Sequence, residues 1–419
     1  LLGAATTDLR RAPRHEVAVS AAPRKDWRFR CAYAVMVAPN AAVGLTLAAM
    51  PPILPELALR VGGERAAQLI VSVSGFGMIA GGFVSGRLLE RTGIRAFTLL
   101  SLVLYGVLGT AGLYLSGTLA LGLSRFALGV AGVFFSTSAL ALTAATFTGE
   151  ARSRVIGLQQ AASQVVNVLA VFTVGALVAV TGWRGAFLLY GVFAVLLLGC
   201  ALAGVRTAPG TAAEPSREAA QERPSGFLAT IAPVCALTTL MGILTVIPMA
   251  QLPFVLTQRG IGSPRQVSLV LAANFVFAAV SAAGYARLKG RFGKAPTFMS
   301  GLTCGVVGIA LMGIVPGLVP QCAAAALAGL GTGIYNTYVF DHGVEISPPV
   351  YHGRAAGLLF AFMFFGAAIN PLVAGAFEQG LGLLRSFPAM AVIALACGLP
   401  VILARRRQAA QSGQVRARR

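Results

Sequence analysis

GRLLERTGIR at residues 86–95 and ARLKGRFGKA at residues 286–295 are two readings of one stretch, 200 residues apart, each set between long apolar runs. The echo continues in register: Arg154-Val-Ile-Gly157-Leu158 is matched by Arg354-Ala-Ala-Gly357-Leu358, Gly129 by Gly329, and Gly175 by Gly375. A fixed offset held across so many positions marks two copies of one structural unit.

Of the 419 residues, 57% are hydrophobic and 11% charged, with a mean hydropathy of +0.79. Soluble chains carry about a quarter of their residues as charged side chains, so this composition belongs in a membrane. Strands are excluded, because open sheets leave backbone groups unsatisfied in lipid. The 50 glycines suit close helix packing there. About twenty apolar residues cross the hydrocarbon core. That criterion places twelve spans at 32–55, 66–86, 96–116, 119–143, 155–180, 185–205, 228–252, 266–287, 297–316, 319–342, 355–377 and 385–404. The expected fold is an all-α membrane protein whose twelve transmembrane helices form two pseudo-symmetric six-helix bundles. Residues 1–31 read as a basic N-tail, 32–205 and 227–404 as the bundles, and 405–419 as a basic C-tail. Between the bundles lies RTAPGTAAEPSREAAQERPSG at 206–226, rich in Pro, Ala and charge, a linker by composition.

The net charge of +20 does not point to nucleic acid, since no basic face interleaved with aromatics exists. The basic residues sit at span ends and in the tails. With the N-terminus inside, 26 fall on the cytoplasmic side, and Arg60, Arg65, Arg184, Arg259, Arg265 and Arg385 on the other. This bias predicts both termini in the cytoplasm of a cell inner membrane protein. The first thirty residues hold seven Lys or Arg and no apolar core of signal-peptide length. The chain lacks an initiator Met, which is consistent with a trimmed or processed start.

Cysteines 31, 200, 235, 304, 322 and 397 stand singly, with no CxxC pair. Neither a zinc site nor a disulfide framework is indicated, and they read as small buried hydrophobes. His15, His342 and His352 are too scattered for a metal cluster. No cofactor is implied. The sequence shows no nucleophile–base pair and no phosphate loop, so no enzyme is expected.

With its 6+6 repeat, hydrophilic linker and Gly-x-Leu-x-acid-Arg-x-Gly-x-Arg loop after span 2, the chain resembles the major facilitator superfamily. The loop residues are Gly86, Leu88, Glu90, Arg91, Gly93 and Arg95, with Glu for the commoner Asp. The second copy keeps Leu288, Arg291 and Gly293 but has Gly290 where the acid would be. The resemblance covers about residues 30–405. It implies transport by alternating access around a cavity between the bundles, and a cytoplasmic gate at Gly86, Glu90, Arg91, Gly93, Arg95, Arg291 and Gly293. Physically, the two glycines permit a tight reversal. Glu90 can act as an anion at a helix N-terminus, with span 11 as the partner that the family implies. Arg91 and Arg95 are expected to pair with acids such as Glu150. Such a latch favours the outward-open state and breaks on inward opening; the alternative is that these charges only mark topology.

Pro52-Ile-Leu-Pro55 in span 1 is similar to the Pro-x-x-Pro of drug-efflux branches, and Arg125-Phe-Ala-Leu-Gly129 in span 4 to the buried Arg-x-x-x-Gly of proton-linked members. Gly182-Trp183-Arg184 before span 6 is another family feature. The Gly-x-x-x-Gly-Pro-x-x-Gly-Gly run of efflux antiporters is missing from span 5, which reads QAASQVVNVLAVFTVG at 160–175.

Polar groups at membrane depth are costly and therefore functional candidates. Arg125 is expected to face the central cavity, to bind an anionic group or couple to protons; the alternative is a packing role between helices. Span 5 carries Gln160, Ser163, Gln164 and Asn167 within roughly 100° of one another on a helix. Span 10 carries Tyr335, Tyr338, Asp341, His342 and Glu345 along one face. The tyrosines suit a solute cavity, while Asp341 and His342, near the cytoplasmic end, and Glu345, at the surface, suit gate or interface charges more than a mid-membrane proton carrier. Asn40, Asn274, Gln251 and Asn370 are further cavity candidates. Phe360, Phe362, Phe364 and Phe365 point to lipid contact and packing more than to a drug pocket.

No Asp or Glu sits mid-span; Glu56 and Glu378 lie at ends. Coupling to protons needs a group whose charge changes as access alternates. That leaves Arg125, Asp341 or Glu345 as coupling groups, protonation of the substrate itself, or facilitative transport. The leading expectation is export of a small organic solute. Alternatives are uptake or facilitated diffusion of an anionic metabolite or siderophore-like compound, and a non-transporting membrane sensor or scaffold. The expected partners are a small-molecule substrate, the lipid bilayer and, where transport is coupled, protons. Nucleic acid is excluded, and the chain is expected to work as a monomer.

Overall fold

The computed structural model describes residues 27–48, 64–115, 117–205, 227–261 and 264–392. All their regular structure is helical. The Pro52/Pro55 pair, Glu56, Cys397, the 206–226 stretch, residues 1–26 of the N-tail and the C-tail lie outside the described residues.

The first bundle comprises α1 (Trp27–Val37), α2 (Pro39–Ala48), α3 (Glu64–Thr92), α4 (Ile94–Thr110), α5 (Thr118–Thr146), α6 (Gly149–Thr181) and α7 (Leu188–Gly204). The second comprises α8 (Phe227–Ala250), α9 (Leu252–Gln258), α10 (Pro264–Phe292), α11 (Lys294–Ile314), α12 (Leu318–Ile346), α13 (His352–Leu381) and α14 (Leu383–Val392). The 200-residue offset survives in three dimensions, since α3 and α10 start at 64 and 264 and end at 92 and 292. Helices α5 and α12 run from 118 to 146 and from 318 to 346. A packing contact repeats too: a Cβ on Gly129 would lie 2.1 Å from the Ser74 carbonyl oxygen, and one on Gly329 2.1 Å from that of Asn274. Small residues at these positions let backbones touch where lipid supplies no hydrophobic drive for helix association.

Eight helical segments among the described residues are long and apolar enough to cross a membrane. Large apolar side chains such as Val107, Leu119 and Leu196 are more than 60% exposed, as expected of a surface that meets acyl chains. The first predicted span is two helices, α1 and α2, broken before Pro39; proline removes a backbone donor and clashes with the preceding turn.

Helix ends differ from the apolar runs. GRLLERT stays helical to Thr92, and the reversal takes place at Gly93 alone, whose φ is +79°. Gly293 does the same at +83°. Gly86 is therefore not part of the turn, contrary to the two-glycine reversal expected from sequence. It lies inside α3, where a Cβ would meet the Arg354 Cα at 2.5 Å. Its role is to admit α13. The end of the molecule holding Gly93 and Gly293 also holds Arg87, Arg91, Arg287, Lys289 and Arg354, and is called the basic end below.

Candidate functional site

The two bundles meet along two seams near the basic end. On one, α3 lies against α13: a Cβ on Gly82 would sit 2.7 Å from the Ala361 nitrogen, and one on Gly357 2.5 Å from the Gly82 oxygen. Phe83 packs edge-on against Phe362 at 5.9 Å, and Phe360 of the same aromatic run packs on Phe340 at 4.7 Å. At the tip of this seam Glu90 accepts from Arg354, 2.6 Å from Nη2 and 2.9 Å from Nε. The two side chains are 25% and 39% exposed, so the pair remains in contact with solvent.

On the other seam α6 lies against α10 and α12. A Cβ on Gly157 would come within 2.3 Å of the Ala282 oxygen. Beside this contact Asp341 is 1% exposed and sits at the centre of a charge cluster. Its Oδ1 accepts from the Ser153 hydroxyl at 3.0 Å, and its Oδ2 from the Tyr285 hydroxyl at 3.1 Å and from Lys289 Nζ at 2.5 Å. Lys289 also donates to Ser153 Oγ at 2.8 Å, and Arg152 Nε stands 3.7 Å from Oδ1. Ser153 and Arg152 come from the first bundle, Tyr285 and Lys289 from the second. Glu345, one turn on, pairs with Lys294 and lies 3.9 Å from Lys289. A buried carboxylate is stable only when its lone pairs are satisfied and its charge is compensated. Asp341 meets both conditions by spanning the bundles.

Arg91 and Arg95 do not pair with Glu150, contrary to expectation; Glu150 stands 3.8 Å from Arg154, one turn along its own helix. Among the described residues neither Arg91 nor Arg95 makes an ion pair. Arg291 instead lies over the ring of its neighbour Phe292 at 5.3 Å.

Arg125 also departs from expectation. It is 1% exposed, and its guanidinium lies over the Phe187 ring at 4.7 Å and the Tyr190 ring at 5.2 Å. Nη2 donates to the Gly109 oxygen at 3.2 Å. The side chain thus points from α5 towards α4 and the start of α7, inside the first bundle, and its Nε and Nη1 have no hydrogen-bond partner among the described residues. This is the packing alternative, with aromatic rings rather than span 5 amides as partners. Cation–π contact in a desolvated setting is worth about 2 kcal/mol, which offsets part of the burial cost.

The remaining cavity candidates divide by bundle. In the first, Asn40 Nδ2 donates to Gln160 Oε1 at 3.0 Å, and Asn167 Nδ2 to Gln164 Oε1 at 3.1 Å. Gln160, Gln164 and Asn167 are half-buried. In the second bundle the side-chain amide donors are taken up by neighbouring backbone and side-chain acceptors, while the Gln251 amide oxygen lacks a partner among the described residues. Asn274 donates to the Ala325 oxygen at 3.0 Å, Asn336 to Thr245 Oγ1 at 3.1 Å, and Asn370 to the Ile243 oxygen at 3.1 Å. Gln251 donates to Asn370 at 2.8 Å. The Tyr335 hydroxyl pairs with Thr332 at 3.1 Å, and the Tyr338 ring packs between Phe298 and His342 at 4.4 and 5.3 Å.

Sequence reasoning passed over Arg152, Ser153, Tyr285, Lys289 and Arg354. A usable signal existed for Lys289: it breaks the repeat, standing where the first copy has Leu89. No group of three or more potential metal ligands occurs among the described residues.

A family model described as Major Facilitator Superfamily matches residues 40–262 and 234–419. None of the curated proteins matches. Among solved structures, the human organic anion transporter MFSD10 (TETRAN) superposes with a TM-score of 0.74 at 17% identity, covering 89% of this chain and 99% of that one. The proton:xylose symporter XylE, bound to 6-bromo-6-deoxy-D-glucose, gives a TM-score of 0.73 at 15% identity, with 89% and 95% covered. At these identities the likeness is one of fold.

Proposed function

The chain belongs to the major facilitator superfamily, a family of membrane transporters, and from that premise we propose that it exports a small organic solute by alternating access, with the Asp341 cluster as its switch. The basic end is the cytoplasmic face in this reading, which the excess of Lys and Arg there supports. Export rests on the likeness of the span 1 motif to that of drug-efflux branches and of the span 4 motif to that of proton-linked members.

The observation that carries the switch is the sharing of one buried carboxylate between bundles. While Asp341 is ionised, Lys289 and Arg152 are compensated and the second seam is held shut. A proton on Asp341 removes the charge that holds Arg152 of the opposite bundle, and the seam is freed to part. Facing Asp341 in that event are Arg152 and Ser153 from α6, Tyr285 and Lys289 from α10, and Tyr338, His342 and Glu345 on α12 itself. Lys294 on α11 stands behind Glu345. Coupling at a gate of this kind needs no acid in mid-span.

Reconstituted protein in liposomes, given candidate solutes with and without an imposed pH gradient, tests the reading. Solute flux driven by the gradient, and uncoupled from it in Asp341→Asn, is the expected result. Flux that ignores the gradient in the wild type would sink proton exchange and leave facilitated diffusion, the second reading. That second reading is favoured by the absence of a mid-span carboxylate among the described residues.

A further inference from the structure

One face of α6 runs without interruption from the shut seam into a half-buried stretch. Residues 153, 157, 160, 164 and 167 fall within about 80° of one another at 100° per residue. Ser153 on this face bonds to Asp341 of the second bundle, and Gly157 one turn further abuts Ala282 and Thr337. The next positions, Gln160, Gln164 and Asn167, are half-buried. The same helix face that is pressed against the other bundle at Gly157 is thus only partly covered from Gln160 onward.

What this partly covered face offers is specific. Asn40 and Gly44 of α2 border it: Asn40 bonds to Gln160, and a Cβ on Gly44 would lie 2.4 Å from Asn167 Oδ1. Gln160 and Gln164 each use their amide oxygen as an acceptor, which leaves both amide NH2 groups without a partner among the described residues. Ser163 adds a hydroxyl beside Gly44. Full charges are absent from this set. Two buried charges stand outside it: Arg125 lies over Phe187 and Tyr190, with Nε and Nη1 lacking a hydrogen-bond partner among the described residues, and Asp341 is satisfied by its cluster. In the second bundle the amide NH2 groups of Gln251, Asn336 and Asn370 all donate, to Asn370, Thr245 and the Ile243 oxygen, and of their amide oxygens only that of Gln251 lacks a partner among the described residues.

We infer that the solute is uncharged and rich in oxygen acceptors (hydroxyl, ether or carbonyl), and that the first bundle recognises it through Asn40, Gln160, Ser163, Gln164 and Asn167. This rests on the transporter reading above and narrows its substrate class. An ion moved into a site of low dielectric needs a partner charge, and these five side chains carry none. Amide donors satisfy an uncharged oxygen instead, and leaving them unmatched is what rejects apolar solutes. An anionic substrate, by contrast, would need Arg125 in the cavity, whereas that residue is 1% exposed and its guanidinium is stacked on Phe187 and Tyr190.

The test needs neither the solute nor turnover. In the full chain, Gln164→Cys and Asn336→Cys are each reacted with cationic trimethylammonioethyl methanethiosulfonate and with anionic sulfonatoethyl methanethiosulfonate. Labelling is counted by intact mass against the wild type, and rates are scaled to those of each reagent with free 2-mercaptoethanol. The Gln164→Cys variant should label with both reagents, its scaled rates agreeing within threefold, and the Asn336→Cys variant should label at least tenfold more slowly. An anionic preference above tenfold at position 164 would overturn the uncharged class. Absence of label there would overturn the site, and equal labelling at position 336 would overturn recognition by the first bundle alone. Because no flux is measured, failure here leaves the transporter reading standing, and a failed flux assay leaves this result intact.

Discussion

The two seams at the basic end are copies of one design with the charge placed differently. Both are built on glycines that let α3 reach α13 and α6 reach α10, and both carry an arginine at the 200-residue mate positions 154 and 354. On the first seam Arg354 meets Glu90 in partial contact with solvent. On the second, the mate of Glu90 is Gly290, and a Cβ there would lie 3.9 Å from Glu150 Oε2. An acid at 290 would face an acid. The charge has instead moved inward to Asp341, whose mate in the first copy is Ala141, and to Lys289, whose mate is Leu89. The packing is duplicated and the electrostatics are not. Solvent screens the first pair, while burial makes the second cluster the stronger tie.

The largest test of this contrast is Asp341→Ala, which strands Lys289 and Arg152 in a buried setting. Uncompensated buried charge costs about 3–5 kcal/mol, so the unfolding midpoint should fall markedly, and Asp341→Asn should recover part of the loss through retained hydrogen bonds. A near-neutral Asp341→Ala would break the comparison outright.

Gly157→Val and Gly82→Val come next, since each drives a side chain into backbone of the opposite bundle. Overpacking costs about 1–3 kcal/mol, and the two variants should match within about 1 kcal/mol if the packing is truly duplicated. A strong disparity between them would show that the seams differ in packing as well as in charge.

Arg125→Ala should lower stability by about 2 kcal/mol through the lost ring contacts, while solute affinity per folded molecule stays unchanged. Transport lost at wild-type stability would place the guanidinium in the pathway after all. Smallest of the four is Glu90→Gln, expected to cost under about 1 kcal/mol and less still at high salt. A penalty equal to that of Asp341→Ala would invert the ranking of the seams.

Much of the fold was legible in the chain. Apolar run length marked the spans, and the offset of the two loop motifs announced the duplication that α3 and α10 repeat residue for residue. Helix ends were not legible from hydropathy, because GRLLERT is polar and still helical; the stop is set by Gly93, where the backbone takes a positive φ. The candidate site was legible in part. Asp341 could be placed near one end of its span, yet its partners from the other helices come from 52 to 189 residues away in sequence, and linear order does not say which helices touch. Arg125 was misdirected for the same reason. Its side of α5 could be counted along the helix, but which neighbour that side faces depends on the packing of α4 and α7.

The claim that the buried cluster, and not the exposed pair, holds the basic end shut is tested most directly by a distance across that end. Spin labels at Thr92 and Phe292, the mated ends of α3 and α10, report the separation of the bundles by double electron–electron resonance. Asp341→Ala should shift the distribution to long distances at least tenfold in population relative to the wild type, and Glu90→Gln less than threefold. A distribution that opens with Glu90→Gln and stays closed with Asp341→Ala would contradict the account.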